Sequence, residues 1–247
     1  MIAPMGLDRV ADPALRRLAL PCLLGAAASL AAAAPPVAED TMAQRMQACT
    51  VCHGPQGRAA TDGYYPRIAG KPAGYLYNQL LNFREGRRRY APMTALIDTL
   101  SDDYLREIAG YFASLDLPYA KEQPPSAPPE MLRRGEALVL HGDAARQLPA
   151  CVQCHGPQLT GVAPWIPGLL GLPADYLNGQ LGAWKVGIRR GHAPDCMAQV
   201  VQRMPEQDIA AVARWLAAQP IPANYKPAAA LTQPLPLPCG VVGGALK

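Results

Sequence analysis

Cys49-Thr50-Val51-Cys52-His53 and Cys151-Val152-Gln153-Cys154-His155 each set two thiols one helical turn apart, with an imidazole directly after the second. This is the attachment signature for c-type haem, in which both thiols add to vinyl groups and the histidine ligates iron. A thioredoxin-like CxxC or half of a zinc site are the alternatives, and neither requires a histidine at that position. Two copies in one chain predict two covalently bound haem c groups.

Attachment accounts for five iron ligands, and the sixth decides the chemistry. An exchangeable position admits oxygen, peroxide or a substrate, whereas a second strong protein ligand restricts the iron to electron transfer. Met93, in the Ala91-Pro92-Met93 loop ahead of a helix, is the candidate in the first half, and Met197 holds the matching place in the second. Core filling is the competing role for any single methionine. Met204 reads as core, His192 as a surface or haem-edge residue and His141 as exposed. Cys196 is a thiolate ligand or half of a disulfide.

The elements that position these residues repeat. Leu76, Leu80, Leu81 and Phe83 predict a helix from 73 to about 86, and Leu105, Ile108, Ala109 and Phe112 form a helical stripe behind the cap Ser101-Asp102-Asp103. Asp40 or Thr41 caps a short helix carrying the first motif. Pro66, Ile68, Gly70 and Pro72 return 101 residues later as Pro167, Leu169, Gly171 and Pro173. Tyr75, Gln79 and Phe83 return as Tyr176, Gln180 and Trp184. Later the offset becomes 104, which maps the stripe onto Ile209, Val212, Ala213 and Leu216 and Met93 onto Met197. The same helices in the same order imply a duplicated domain.

The expected architecture is therefore all-α, with two tandem haem domains at 35–115 and 131–219, a proline-rich linker at 116–130 and a proline-rich tail at 220–247. Residues 1–34 have the layout of a signal peptide, a basic start, an alanine-rich apolar run and small residues before Pro35-Pro36. A retained membrane anchor is the competing reading. Losing that leader would remove three arginines and two aspartates, taking the formal charge from +4 to +3, too little to imply nucleic acid binding. Of seven cysteines, Cys22 belongs to the leader and four to the haem motifs, leaving Cys196 and Cys239 either as a disulfide or as two free thiols. The basic run Arg84, Arg87, Arg88, Arg89 and its counterpart Lys185, Arg189, Arg190 read first as a solvated face, with haem propionates or an acidic partner as alternatives.

Two CxxCH motifs about a hundred residues apart, each followed by a methionine loop and a closing helix, resemble the dihaem class I cytochromes c of the cytochrome c4 type. The approach to the second motif, from Arg134-Gly135-Glu136 through Gly142-Asp143 to Leu148-Pro149-Ala150, is particularly similar. The resemblance spans roughly residues 40–218 and implies a helical fold in each half, haem edges that face one another, and periplasmic electron transfer. Asp195-Cys196 and the Cys239 tail depart from the pattern. The expected function is that of an exported electron carrier, not an enzyme, with His53/Met93 and His155/Met197 as axial pairs. It would pass electrons from a dehydrogenase or membrane complex to an oxidase or reductase, touching the membrane only through such partners or an uncleaved leader. A cytochrome subunit of a dehydrogenase is the alternative, followed by a dihaem peroxidase or sulfur-compound dehydrogenase.

Overall fold

The computed structural model describes residues 40–60, 62–119 and 127–242. The expected leader, the middle of the linker and the last five residues lie outside the described residues. Among those described, no helix is long and apolar enough to cross a membrane.

Within the unit Asp40–Lys247, two hydrophobic cores form, one per repeat. The first half runs α1 (Met42–Arg45), α2 (Gln47–His53), a 3-10 turn at Pro55–Gly57, α3 (Ala73–Arg84), α4 (Ala91–Ile97) and α5 (Asp102–Ser114). Thr41 starts α1 through a capping box with Gln44, and Ser101 caps α5 by accepting from the Tyr104 amide at 3.3 Å. The predicted stripe of α5 is its buried face: Leu105, Ile108, Ala109 and Phe112 pack on Leu76, Leu81 and Phe83 of α3.

The second half repeats the plan with α6 (Pro129–His141), a 3-10 turn at Ala144–Arg146, α7 (Cys151–His155), α8 (Ala174–Lys185), α9 (Cys196–Gln202) and α10 (Glu206–Ala218). It adds a two-residue antiparallel hairpin of β1 (Gly161–Val162) and β2 (Ile166–Pro167) to an otherwise helical fold. Helix α6 begins inside the stretch read as linker, because Pro128 and Pro129 suit a helix start. At the other end of that stretch, the carbonyl of Pro118 accepts from Arg67 at 3.2 Å, and the Arg67 guanidinium lies 4.0 Å from the Tyr119 ring centre.

α6 crosses α10 at Gly135. A Cβ there would collide with the Ala211 carbonyl and sit 2.6 Å from Trp215 Cβ, so only glycine permits this approach. Beside the crossing, Arg134 donates to the carboxylate of Asp208, which is 3% exposed, and Arg146 forms ion pairs with both Asp208 and Asp143. The hydrogen bond from Arg134, followed by that from Arg146, holds the Asp208 pKa below the usual carboxylate range against the opposing effect of burial.

Glycines in two helices should respond oppositely to the same change. Gly135→Ala is expected to lose about 1–3 kcal/mol through overpacking. Gly110 in α5 is exposed with open space around it, and Gly110→Ala should gain about 1 kcal/mol from helix propensity. Denaturant unfolding of the two variants checks both signs. Because the folded pKa of Asp208 is depressed, its contribution is complete above the unfolded carboxylate pKa and is lost as pH falls through the folded one. Asp208→Asn should therefore lower the melting temperature at neutral pH and flatten the acid limb of the stability curve, as read by thermal unfolding at several pH values.

Candidate functional site

Both CxxCH segments are short helices that end at their histidine, α2 at His53 and α7 at His155. His53 Nδ1 donates to the Pro66 carbonyl at 2.9 Å and His155 Nδ1 to the Pro167 carbonyl at 2.8 Å. A carbonyl can only accept, so each ring carries its proton on Nδ1 and leaves Nε2 with a free lone pair. Burial lowers both imidazole pKa values, which favours the same neutral, ligating form. The acceptors are the two prolines matched by the 101-residue repeat.

Burial raises the Cys49 and Cys154 thiols and pushes Cys151 up to about 12. A dithiol redox centre needs a depressed pKa, and burial shifts these three thiols the other way. Among the described residues, no group of three or more His, Cys, Asp or Glu gathers as a zinc site would require.

The four motif cysteines and both histidines face one continuous cavity of about 870 Å³. Met93 and Met197 line it as well, as do Ile108 and Phe112 in the first half and Val212 and Leu216 in the second. The methionines, expected in loops, lie in short helices instead. Pro92 suits the first turn of α4, and Asp195 caps α9 by accepting from the Ala198 amide at 3.0 Å. Met204 is buried in the second core, His141 is exposed, and His192 Nε2 lies 2.9 Å from Arg87 Nη2. Cys196 is bonded to Cys239, which removes it as a thiolate.

The reading of the arginines as a solvated face is corrected at two positions. Arg88 and Arg189, paired across an antiparallel bridge, meet between the repeats, and Arg189 is only 5% exposed. Arg88 donates to Gln180 at 2.7 Å, Gln79 at 3.1 Å and the Tyr176 hydroxyl at 3.2 Å; Arg189 donates to Gln180 and Gln79, each at 2.9 Å, and to the Tyr75 hydroxyl at 3.5 Å. Arg88 lies over Phe83 and Arg189 over Trp184, with 4.5 Å and 3.7 Å to the ring centres. Every pair in this set is related by 101 residues, so the contact is a pseudo-two-fold one. The same offset relates Arg89 to Arg190, both exposed, so the spacing alone does not mark which pair of the run is buried.

The cavity fits haem on grounds beyond the motifs. Both side-chain polar atoms of Asn78 and the indole nitrogen of Trp184 are buried with no hydrogen-bond partner, and both residues line the cavity. No carboxylate among the described residues pairs with Arg88 or Arg189, which also line it. Buried donors without partners, beside cations whose charge no carboxylate neutralises, suit an anionic, hydrogen-bonding group, and propionates are such groups.

No family model matches the sequence. The chain is 38% identical over 207 residues to the thiosulfate dehydrogenase electron acceptor of Thiomonas intermedia, covering 82% of this chain and 88% of that one. It is 33% identical over 170 residues to cytochrome c4 of Pseudomonas aeruginosa, covering 68% and 82%. The crystal structure of reduced cytochrome c4 from Pseudomonas stutzeri superposes with a TM-score of 0.60 at 29% identity, covering 71% of this chain and 95% of that one. Tandem class I cytochrome c domains, two CxxCH sites and these relatives agree: the chain belongs to the cytochrome c4 family and is an electron-transfer cytochrome carrying two covalently bound haem c groups.

Proposed function

We propose that the protein is an exported, periplasmic electron carrier that accepts electrons from a thiosulfate-oxidising dehydrogenase, with His53/Met93 and His155/Met197 as its axial ligand pairs. The observation that carries the ligand reading is the matched pair of methionines: each precedes the closing helix of its repeat, and both line the cavity that holds the two histidines. Packing alone does not require a thioether at the same place twice. The donor is inferred from the name of the Thiomonas relative, whose sequence covers most of this chain.

Haem supplies a one-electron iron couple. The chain's residues tune and protect it. The Nδ1–H bonds to Pro66 and Pro167 orient the imidazoles, and apolar walls exclude water. Thioether ligands favour ferrous iron, which predicts relatively high potentials at both sites. His53 with Met93 and His155 with Met197 would hold the two haem irons and leave no place there for a substrate, so that the chain would serve as a relay and not as the site of oxidation.

The decisive experiment is reduction of the oxidised protein by thiosulfate. Rapid reduction is expected only when a thiosulfate dehydrogenase is present, and turnover with thiosulfate alone would overturn the carrier reading. Stable co-elution with the dehydrogenase on gel filtration would instead favour the subunit reading.

The ligands and the arginine pair have separate signatures. Met93→Ala and Met197→Ala should each remove one haem's share of the methionine-to-iron band at the red edge of the ferric spectrum. Met93→His should lower one potential, by part of the about 0.8 V range that axial ligands command. Arg189→Gln withdraws a buried positive charge that favours the less positive ferrous state. It should lower the midpoint potentials by on the order of 50 mV with the spectrum unchanged, as read by spectroelectrochemistry.

A further inference from the structure

The repeats differ at one place where their spacing predicts sameness. α4 and α9 correspond at an offset of 104, with Met197 matching Met93, Val200 matching Leu96 and Val201 matching Ile97. In the first half the outer side of this helix meets solvent: Ala91, Pro92, Ala95 and Leu96 are exposed, Leu96 to 48%, and nearby in the sequence of the first motif Val51 is 83% exposed. In α9 no residue from 196 to 200 is exposed. The chain's own C-terminal segment runs against this site.

That segment is pinned at two points. Ala228 donates to the Gly161 carbonyl at 2.9 Å and accepts from the Ala163 amide at 2.8 Å, which fastens it beside the hairpin. Farther on, Cys239 is disulfide-bonded to Cys196, the residue before Met197, and the Gly240 amide donates to the Pro194 carbonyl at 2.9 Å. A Cβ at Gly240 would collide with the Ala193 carbonyl and lie 2.8 Å from the His192 oxygen, so the close approach requires glycine. Between the pins the chain alternates. Leu235, Leu237, Cys239 and Val241 line the cavity, while Pro234, Pro236 and Pro238 are exposed. The inward apolar faces exclude water, and the prolines reduce the conformational entropy lost when the segment is laid down.

We propose that residues 229–242 are a disulfide-latched cover over the methionine side of the second haem site, which keeps exogenous ligands from that iron while the first site remains open to them. The proposal rests on Met93 and Met197 being ligands. An incoming anion must displace the thioether, which requires the helix carrying it to shift outward. α4 can move into solvent. α9 is held by the bond from Cys196 to Cys239, and the loop ahead of it by the Gly240–Pro194 hydrogen bond. A dithiol would release the latch by exchange: it delivers two electrons and two protons, Cys196 and Cys239 become thiols, and the dithiol becomes a disulfide.

The test uses the oxidised holoprotein and cyanide as the probe. The methionine-to-iron band is quantified first. Two equivalents per chain confirm the ligand reading, and fewer overturn it, and the cover with it, before any cyanide is added. The decay of the band after cyanide addition is then followed. Two phases are expected, the second at least about tenfold slower than the first, as local opening under a pinned segment requires. Cys239→Ser cuts the latch and Gly240→Leu wedges the segment off its seat with the cysteines intact. Each should bring the slow phase to within about threefold of the fast one and leave the fast phase unchanged. A single phase in the unaltered protein, or a slow phase that neither variant accelerates, overturns the proposal.

Discussion

An apolar cavity passing both CxxCH motifs is the constraint under which the rest of this fold is arranged. Its walls are the inward faces of helices that would otherwise form two solid cores, so much of the core of each half is completed by haem and not by side chains. This accounts for a chain with so few aromatic residues, only 6%, and so many prolines, 27 in all. Short helices joined by irregular segments can wrap a flat group that a continuous bundle would not admit. The same constraint sets the histidine geometry, because a neutral imidazole in an apolar wall needs its second nitrogen bonded to something, and a proline carbonyl provides that in each repeat.

The contact between the repeats obeys a second physical requirement. Two guanidinium groups are brought together away from solvent, each satisfied by glutamine and tyrosine acceptors and stacked on an aromatic ring, with no carboxylate among the described residues to neutralise them. Such a pair is unfavourable in isolation, and burial and mutual repulsion both lower the Arg189 pKa. Propionates from the two haem sites would compensate it.

The two repeats are similar but not equal in what surrounds them. The second half has α6, with the Gly135 crossing and the ion pairs around Asp208, where the described part of the first half begins with the four-residue α1. It also has the C-terminal segment across α9.

Sequence alone was sufficient for whatever depends on local spacing. CxxCH is a covalent pattern read over five residues, the stripe of α5 is a helical period, and the repeat follows from counting, which together led to the dihaem helical architecture. The Cys196–Cys239 pair was legible as one of two alternatives by elimination, but its closure depended on where a tail 43 residues away comes to rest. What sequence could not decide were the environments built by distant segments. Arg88 and Lys185 both read as cations near a helix end. Tertiary structure places Arg88 between the repeats against Gln180, whereas Lys185 donates to the carbonyls that close α9. The tail likewise read as proline-rich and without a domain, and its alternating leucines acquired meaning only when the cavity they line was assembled. Burial is a property of what packs opposite a residue, and that partner lies tens to a hundred residues away along the chain.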